Sequence, residues 1–264
     1  MTLHHRLTAF NTASESENKI HDDAVASRFG FTGGLVPGVD VFAYMAHAPI
    51  ALWGEAWLNG GGMQARFGKP VYDGDDVTVT GDADGADRLA LTASARGVTC
   101  ATGTAWKLDD APDPAGIGTA DLPDYASRPK ASMESLKPGQ ILGTMVETYT
   151  RADGAQHLAD VREPGATFEN GAICNPGWLV RRANYILGNN VKLGPWIHVE
   201  SRIRNHGQLR DGEPVETRAI VVENVESKGH LIVTLDFEIV SHARRIMSGR
   251  HWAIYEPRQV RERS

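Results

Sequence analysis

A short stretch near the amino terminus concentrates the side chains that proton transfer needs. Ser16-Glu17-Asn18-Lys19-Ile20-His21-Asp22-Asp23 sets one imidazole among hydroxyl, amide and carboxylate groups. Histidine suits giving and taking a proton at neutral pH because its ordinary pKa lies close by. A second stretch, Asp153-Gly154-Ala155-Gln156-His157, carries a carboxylate and an imidazole four residues apart. Asp40 is a third candidate, in the first turn of a helical run where a carboxylate complements the helix dipole. His47 in the same run reads as a hydrogen-bonded core or lining residue. Arg181-Arg182 reads as a solvated face that could also meet a phosphate group. His4-His5 and the basic end from Arg258 to Arg263 read as mobile.

Several other chemistries have no footing. There is no glycine-rich lysine loop, no G-x-S-x-G elbow and no dinucleotide fingerprint. Cys100 and Cys174 sit in no C-x-x-C pair and no zinc-spaced cluster, so they read as small buried residues of a reducing compartment. A formal charge of −6 on 264 residues argues against nucleic acid as a partner. No signal-peptide pattern and no run long enough to span a membrane is present, so a soluble cytoplasmic protein without metal or cofactor is expected. With 41% hydrophobic residues the chain can build a core without staples.

The elements that must hold these residues fall into two similar halves. Five of the 13 prolines lie between Asp109 and Gln140, a segment that suits neither helix nor central strand and reads as an extended linker across the surface. This divides the chain at 1–108, 109–140 and 141–264. Each half has a glycine-rich entry, Phe31-Thr-Gly-Gly34-Leu-Val-Pro37-Gly38 and Phe168-Glu-Asn-Gly171-Ala-Ile-Cys-Asn-Pro176-Gly177. Each entry leads to an apolar helical run, Val39 to Leu58 and Trp178 to Leu187. An Asp-Gly-acid turn follows at Asp73 and at Asp211, and strand-like stretches end near Trp106 and Trp252. Four landmarks in one order indicate duplication. The first run is apolar nearly all round, the mark of a buried helix, with Pro49 expected to kink it. Strands are expected at 63–72, 76–83, 88–97 and 98–108, and again at 197–206, 215–225, 230–241 and 244–255. A helix wrapped by a long antiparallel sheet, made twice and packed as a pseudo-dimer, is an α+β double hot-dog.

The segment from Asn18 to Phe31, the entry Gly34-Leu35-Val36-Pro37-Gly38, and the run Arg66-Phe67-Gly-Lys-Pro70-Val71-Tyr-Asp-Gly74-Asp75 together resemble the MaoC-like enoyl-thioester hydratase family, in family order and near-family spacing. The resemblance covers residues 8–108; the second half is similar only in architecture. It implies a hydratase or dehydratase acting on an enoyl or 3-hydroxyacyl thioester such as an acyl-CoA, a small-molecule substrate. His21 matches the family's acid/base, Asn18 its asparagine and Asp23 its following acid. Ser16 stands where the family has its catalytic Asp, which leaves Glu17 or Ser16 to assist through water. Pro37 replaces a family His, so Gly38 is the remaining amide for the thioester oxygen. Asn18, Gly38, Pro37 and Arg66 are the expected substrate contacts. Asp153 and His157 form a rival site, and Asp40 would be the catalytic acid of a hot-dog thioesterase. A catalytically silent acyl-binding protein and a homodimer are further options.

Overall fold

The computed structural model describes residues 1–109 and 112–261. The first half runs β1 (Thr2–Thr8), a 3₁₀ turn (Lys19–His21), α1 (Asp23–Arg28), α2 (Gly38–Trp53), α3 (Glu55–Gly60), β2 (Gly62–Phe67), β3 (Asp76–Ala83), β4 (Arg88–Ala95) and β5 (Val98–Trp106). The second half runs β6 (Met145–Thr148), α4 (Arg151–Asp160), a 3₁₀ stretch (Ala166–Gly171), α5 (Pro176–Asn190), β7 (Ile197–Asn205), β8 (Pro214–Ser227), β9 (His230–Ser241), β10 (Arg244–Glu256) and α6 (Arg258–Arg261). All ten strands join one sheet in the order β1-β3-β4-β5-β2-β7-β10-β9-β8-β6. Read from either edge inward the order is the same. The halves meet at β2 and β7, which pair antiparallel from Gly62↔Arg204 to Arg66↔Glu200. Each half wraps one long helix, so the chain is an α+β double hot-dog with a continuous sheet.

The helices sit where their sequences require. From Val39 to Ile50 every residue of α2 except His47 is buried, as an all-round apolar helix must be. Pro49 lies inside it, and the helix continues to Trp53 instead of breaking there. The stop comes at Gly54, whose φ of +51° favours glycine. Gly177 sets the approach of α5 to α2: a Cβ there would lie 2.5 Å from the Ala43 Cβ. Two expectations are corrected. His4 and His5 are not mobile; they belong to edge strand β1, paired with β3 from Thr2↔Asp82 to Thr8↔Asp76. Arg181 and Arg182 are not a solvated face: Arg181 pairs with Asp40, and Arg182 with Glu147 at 2.9 Å. Of the basic terminal cluster, residues 258–261 form α6, and 262–263 lie outside the described residues.

The proline-rich segment holds no helix or strand between 112 and 144 among the described residues. It is nonetheless tied down. The Ile117 amide donates to Glu238 at 3.0 Å, and Asn224 donates to the Ser132 and Leu136 carbonyls at 3.3 and 3.0 Å. Leu136 is fully buried. No helix among the described residues is long and apolar enough to cross a membrane.

Candidate active site

Asn18 and His21 bracket the 3₁₀ turn ahead of α1, and backbone geometry fixes both side chains. The Asn18 Oδ1 accepts from the Trp196 amide at 3.1 Å, and its Nδ2 donates to the Trp196 carbonyl at 2.9 Å. Trp196 belongs to the second half, so Asn18 ties the halves together at this point. Those two bonds fix which end of the amide faces His21, 3.2 Å from its Nε2. The other ring nitrogen, Nδ1, lies 2.6 Å from the Leu35 carbonyl. A carbonyl only accepts, so Nδ1 carries the proton and Nε2 keeps its lone pair. Burial lowers the His21 pKa; the Leu35 carbonyl and the charge of Asp40 oppose this. The ring is therefore a neutral base at pH 7, with a long and weak donor at its basic nitrogen.

Two cavities meet at this pair. The first, about 240 Å³, is mainly apolar, walled by Phe31, Leu35, Val41, Phe67, Val71 and Ile197. The second, about 260 Å³, is polar, walled by Thr12, Ser16, Glu17, Arg128, Arg181 and Tyr185. Asn18, His21, Pro37, Asn184 and Trp196 line both. The start of α2 stands at the same junction. Pro37 is its N-cap and has no amide; the Gly38 and Val39 amides precede the first intrahelical bond and have no acceptor among the described residues. A basic nitrogen, a helix start with free amides and an apolar chamber thus share one seam between the halves.

The other candidates are placed as follows. The Ser16 hydroxyl donates to the Asn18 carbonyl at 3.3 Å. The Glu17 side chain is 70% exposed and pairs with Arg128 at 3.1 Å. Hydrogen bonds from Tyr125 and Arg128 hold its pKa below the usual carboxylate range. That favours an anchored anion over a proton carrier, although Glu17 and His21 line the same polar cavity. Asp23 accepts from the Gly34 amide at 2.6 Å and shapes the loop ahead of α2. Asp40 is fully buried, accepting from Thr12 at 2.6 Å and from Arg181. Burial raises its pKa, while Arg181, Thr12 and His21 pull it down. Arg66 points out from β2, 77% exposed, and pairs with Glu200 at 3.7 Å; it lines neither cavity.

Asp153 and His157 lie on α4, and the helix sends them apart. Asp153 accepts from Thr150 at 2.6 Å in an exposed capping contact. His157 is buried, with Nε2 packed over Gly177 beside Asn175. Burial, with Arg181 beside it, pushes its pKa down to about 3. It lines neither of the cavities at His21. A further cluster, His5, His47 and Glu163, brings its donor atoms within 4.8 Å of one another. The two rings are stacked with centroids 3.8 Å apart at 18°. Glu163 is already bonded to His47 Nδ1 at 2.9 Å. The trio is built as a clasp between β1, α2 and the second half.

Of the second half's share of the site, sequence reasoning singled out only Arg181, as a group that could meet a phosphate. Arg181, Asn184, Tyr185, Gly188 and Asn189 line the polar cavity at helical spacing i, i+3, i+4, i+7, i+8. That polar stripe on α5 was a usable signal. Trp196 and His198 enter only because β7 lies beside β2, a pairing that no local pattern announces.

No family model matches the chain, and no curated protein matches it. Solved structures do. A protein of Chloroflexus aurantiacus J-10-fl designated a MaoC domain dehydratase is 12% identical with a TM-score of 0.69, the match covering 97% of this chain and 95% of that one. A conserved Mycobacterium tuberculosis protein with a double hotdog fold is 10% identical with a TM-score of 0.64, covering 96% and 95%. A Lactobacillus plantarum protein designated an oleoyl thioesterase is 12% identical with a TM-score of 0.50, covering 97% of each chain. At these identities the likeness is one of fold, and the chain is a double hot-dog protein whose structural neighbours include MaoC-like dehydratases.

Proposed function

We propose that the chain is a hydro-lyase that adds water to an enoyl thioester, or removes it from a 3-hydroxyacyl thioester, at the seam between its halves. The observation that carries this reading is the neutral His21, with its basic Nε2 held by Asn18, next to the free amides of α2 at the wall of an apolar chamber. The acyl group would occupy that chamber and set its oxygen at the Gly38 amide. A water would take the Asn18 amide hydrogen and give its own proton to Nε2 while its oxygen bonds to C3 of the enoyl group. The electron pair of the C2–C3 double bond moves to the thioester oxygen, where Gly38 stabilises the enolate. The proton on Nε2 is then delivered to C2, which restores the base. One group serves both transfers, so no carboxylate is needed where Ser16 replaces the family's Asp.

The polar cavity, with Arg128 and Arg181 in its wall, fits the carrier side of the substrate. The thioesterase reading, carried by Asp40, is less favoured because Thr12 and Arg181 already occupy that carboxylate. The experiment is to incubate the protein with a short 2-enoyl-CoA in deuterated water. The expected product is 3-hydroxyacyl-CoA with deuterium at C2. Release of free CoA without hydration would favour the thioesterase, and binding without either reaction would favour an acyl-binding role.

A further inference from the structure

His198, the second residue of β7, faces the head of the first half's α2. A Cβ on Gly38 would lie 2.8 Å from His198 Nδ1, 3.2 Å from its Cγ and 3.2 Å from its carbonyl oxygen. Only glycine admits that approach. The imidazole lines the apolar cavity and is otherwise buried, and its Nδ1 has no hydrogen-bond partner among the described residues. The opposite nitrogen is held. His198 Nε2 lies 2.8 Å from the Ser201 hydroxyl, which lies 2.9 Å from His251 Nδ1. The two rings stack at 4.2 Å and 18°. A bulge at Val199 puts His198 and Ser201 together: Trp252 pairs with Glu200 and Ala253 with His198, which leaves Val199 unmatched.

A buried core histidine normally has both nitrogens bonded, and an unpaired buried N–H costs about 1–3 kcal/mol. In His198 the unpaired nitrogen is the one that looks at the helix start; His5 Nε2, both nitrogens of His157 and His251 Nε2 are unpaired among the described residues as well. Burial, and then His251 beside it, hold the His198 pKa well below its usual value, with the Glu200 carbonyl opposing. His251 is pushed down to about 3 by burial. Both rings are neutral at pH 7. The Ser201 hydroxyl has one proton and two imidazole neighbours. Its two arrangements differ at His198: donating to His198 Nε2 it accepts from His251 Nδ1 and leaves the hydrogen on His198 Nδ1, at the head of α2, whereas donating to His251 Nδ1 it leaves His198 Nδ1 bare; a thioester oxygen at Gly38 selects the first. Pro37 removes one amide from that region, and a neutral imidazole N–H can serve where the amide is missing. A neutral imidazole with a depressed pKa is a known way to polarise a carbonyl without surrendering its proton.

We infer that His198 is a second oxyanion donor, which together with the Gly38 amide holds the thioester carbonyl oxygen and the enolate oxygen that develops from it. Ser201 and His251 are positioning residues that fix its tautomer. No proton leaves His198; it gives a hydrogen bond that strengthens as charge gathers on the oxygen. The inference rests on the reading of this seam as an acyl-thioester site, and it assigns the second half a direct part in chemistry otherwise carried by the first.

The test uses the full-length protein in two measurements. In the first, histidine ring nitrogens are labelled with ¹⁵N and followed by NMR as butyryl-CoA is added, with CoA alone as the control. His198 Nδ1 is expected to carry hydrogen in the complex, and its proton to move downfield with butyryl-CoA but not with CoA. In the second, enoyl-CoA hydration is compared in wild type, His198→Leu and His198→Asn. Asparagine places an amide donor close to the position of Nδ1; leucine fills the space without one. His198→Leu should lose ~100- to 1000-fold in kcat with little change in KM, and His198→Asn should recover most of it, within about tenfold of wild type. The acid limb of the pH profile should stay in place in both, because His198 does not titrate in the cycle.

A bare, lone-pair Nδ1 in the butyryl-CoA complex overturns the inference. So does full activity in His198→Leu, or a displaced acid limb. If butyryl-CoA shifts the His198 resonance while the protein hydrates nothing, the donor stands and the hydratase reading falls. If butyryl-CoA leaves that resonance untouched, the donor assignment fails whatever the activity.

Discussion

Removing the guanidinium of Arg181 perturbs the most deeply buried charge near the proposed site. Asp40 has no exposed surface, and among the described residues its side chain has two hydrogen-bond partners, Thr12 at 2.6 Å and Arg181. Arg181→Met keeps most of the side chain's volume and leaves the carboxylate with a single neutral donor. Breaking a buried pair from one side costs about 3–5 kcal/mol, because the remaining charge stays out of water. For a chain of this size each kcal/mol moves the melting temperature by ~2–4 °C, so a fall of roughly 6–20 °C is expected. The pH dependence has a definite sign. Burial raises the Asp40 pKa and Arg181 pulls it down, so losing Arg181 raises it further. A carboxyl whose folded pKa is raised penalises the folded state as pH climbs through that pKa, and the penalty disappears below its unfolded value. The deficit of Arg181→Met should therefore shrink from pH 8 towards pH 5. Urea unfolding at several pH values measures it. The double variant Asp40→Leu/Arg181→Met should return to within about 2 kcal/mol of wild type, since replacing both members with apolar groups is close to neutral. A single variant within about 1 kcal/mol of wild type, or a deficit constant with pH, would refute the reasoning.

Three other outcomes follow from the same geometry. Gly177→Ala puts a Cβ 2.5 Å from that of Ala43, so it should cost ~1–3 kcal/mol in urea unfolding by overpacking the two long helices; an unchanged midpoint would mean that the helices separate freely. His157 and His251 have folded pKa values of about 3 against the 6.5 of free histidine, so the unfolded chain binds protons first. Their contribution to stability is full above pH 6.5 and is lost on acidification, by ~1.4 kcal/mol per pH unit for each ring, and His157→Leu should flatten that slope accordingly. His21 acts as a neutral base with a pKa lowered by burial, so kcat/KM for hydration should fall only on the acid side and stay level from pH 7 to 8; a limb centred in the alkaline range would require a different base.

The repeated landmarks carried the architecture because each has a local cause. The all-round apolar α2, the Asp-Gly turns and the alternating strands are readable from neighbouring residues, and strands β3, β4, β5, β7, β8, β9 and β10 fall within two residues of where alternation puts them, while β2 ends five residues early. Pro49 does not interrupt α2, which runs on to Trp53. Asp153 and His157 looked like a pair in sequence, but α4 turns one to solvent and the other under Gly177. Arg66 follows a motif yet lies on the outer face of the sheet, since side chains alternate faces along β2. Asn18 and His21 were legible as a cluster; their orientation was not, because Trp196, 178 residues away, sets it. Glu17 could be singled out by position, but its partner Arg128 lies in the proline-rich segment, 111 residues on.

The most direct measurement is the rate of hydration of a short enoyl-CoA by wild type, His21→Ala, Glu17→Gln and His157→Ala, each checked for folding by circular dichroism. Hydration by the wild type is expected, with a loss of ~100- to 10,000-fold in His21→Ala, as for a general base removed. Glu17→Gln and His157→Ala should keep their activity per folded molecule. Full activity in His21→Ala, or its loss in His157→Ala alone, would contradict the placement of the site at the seam.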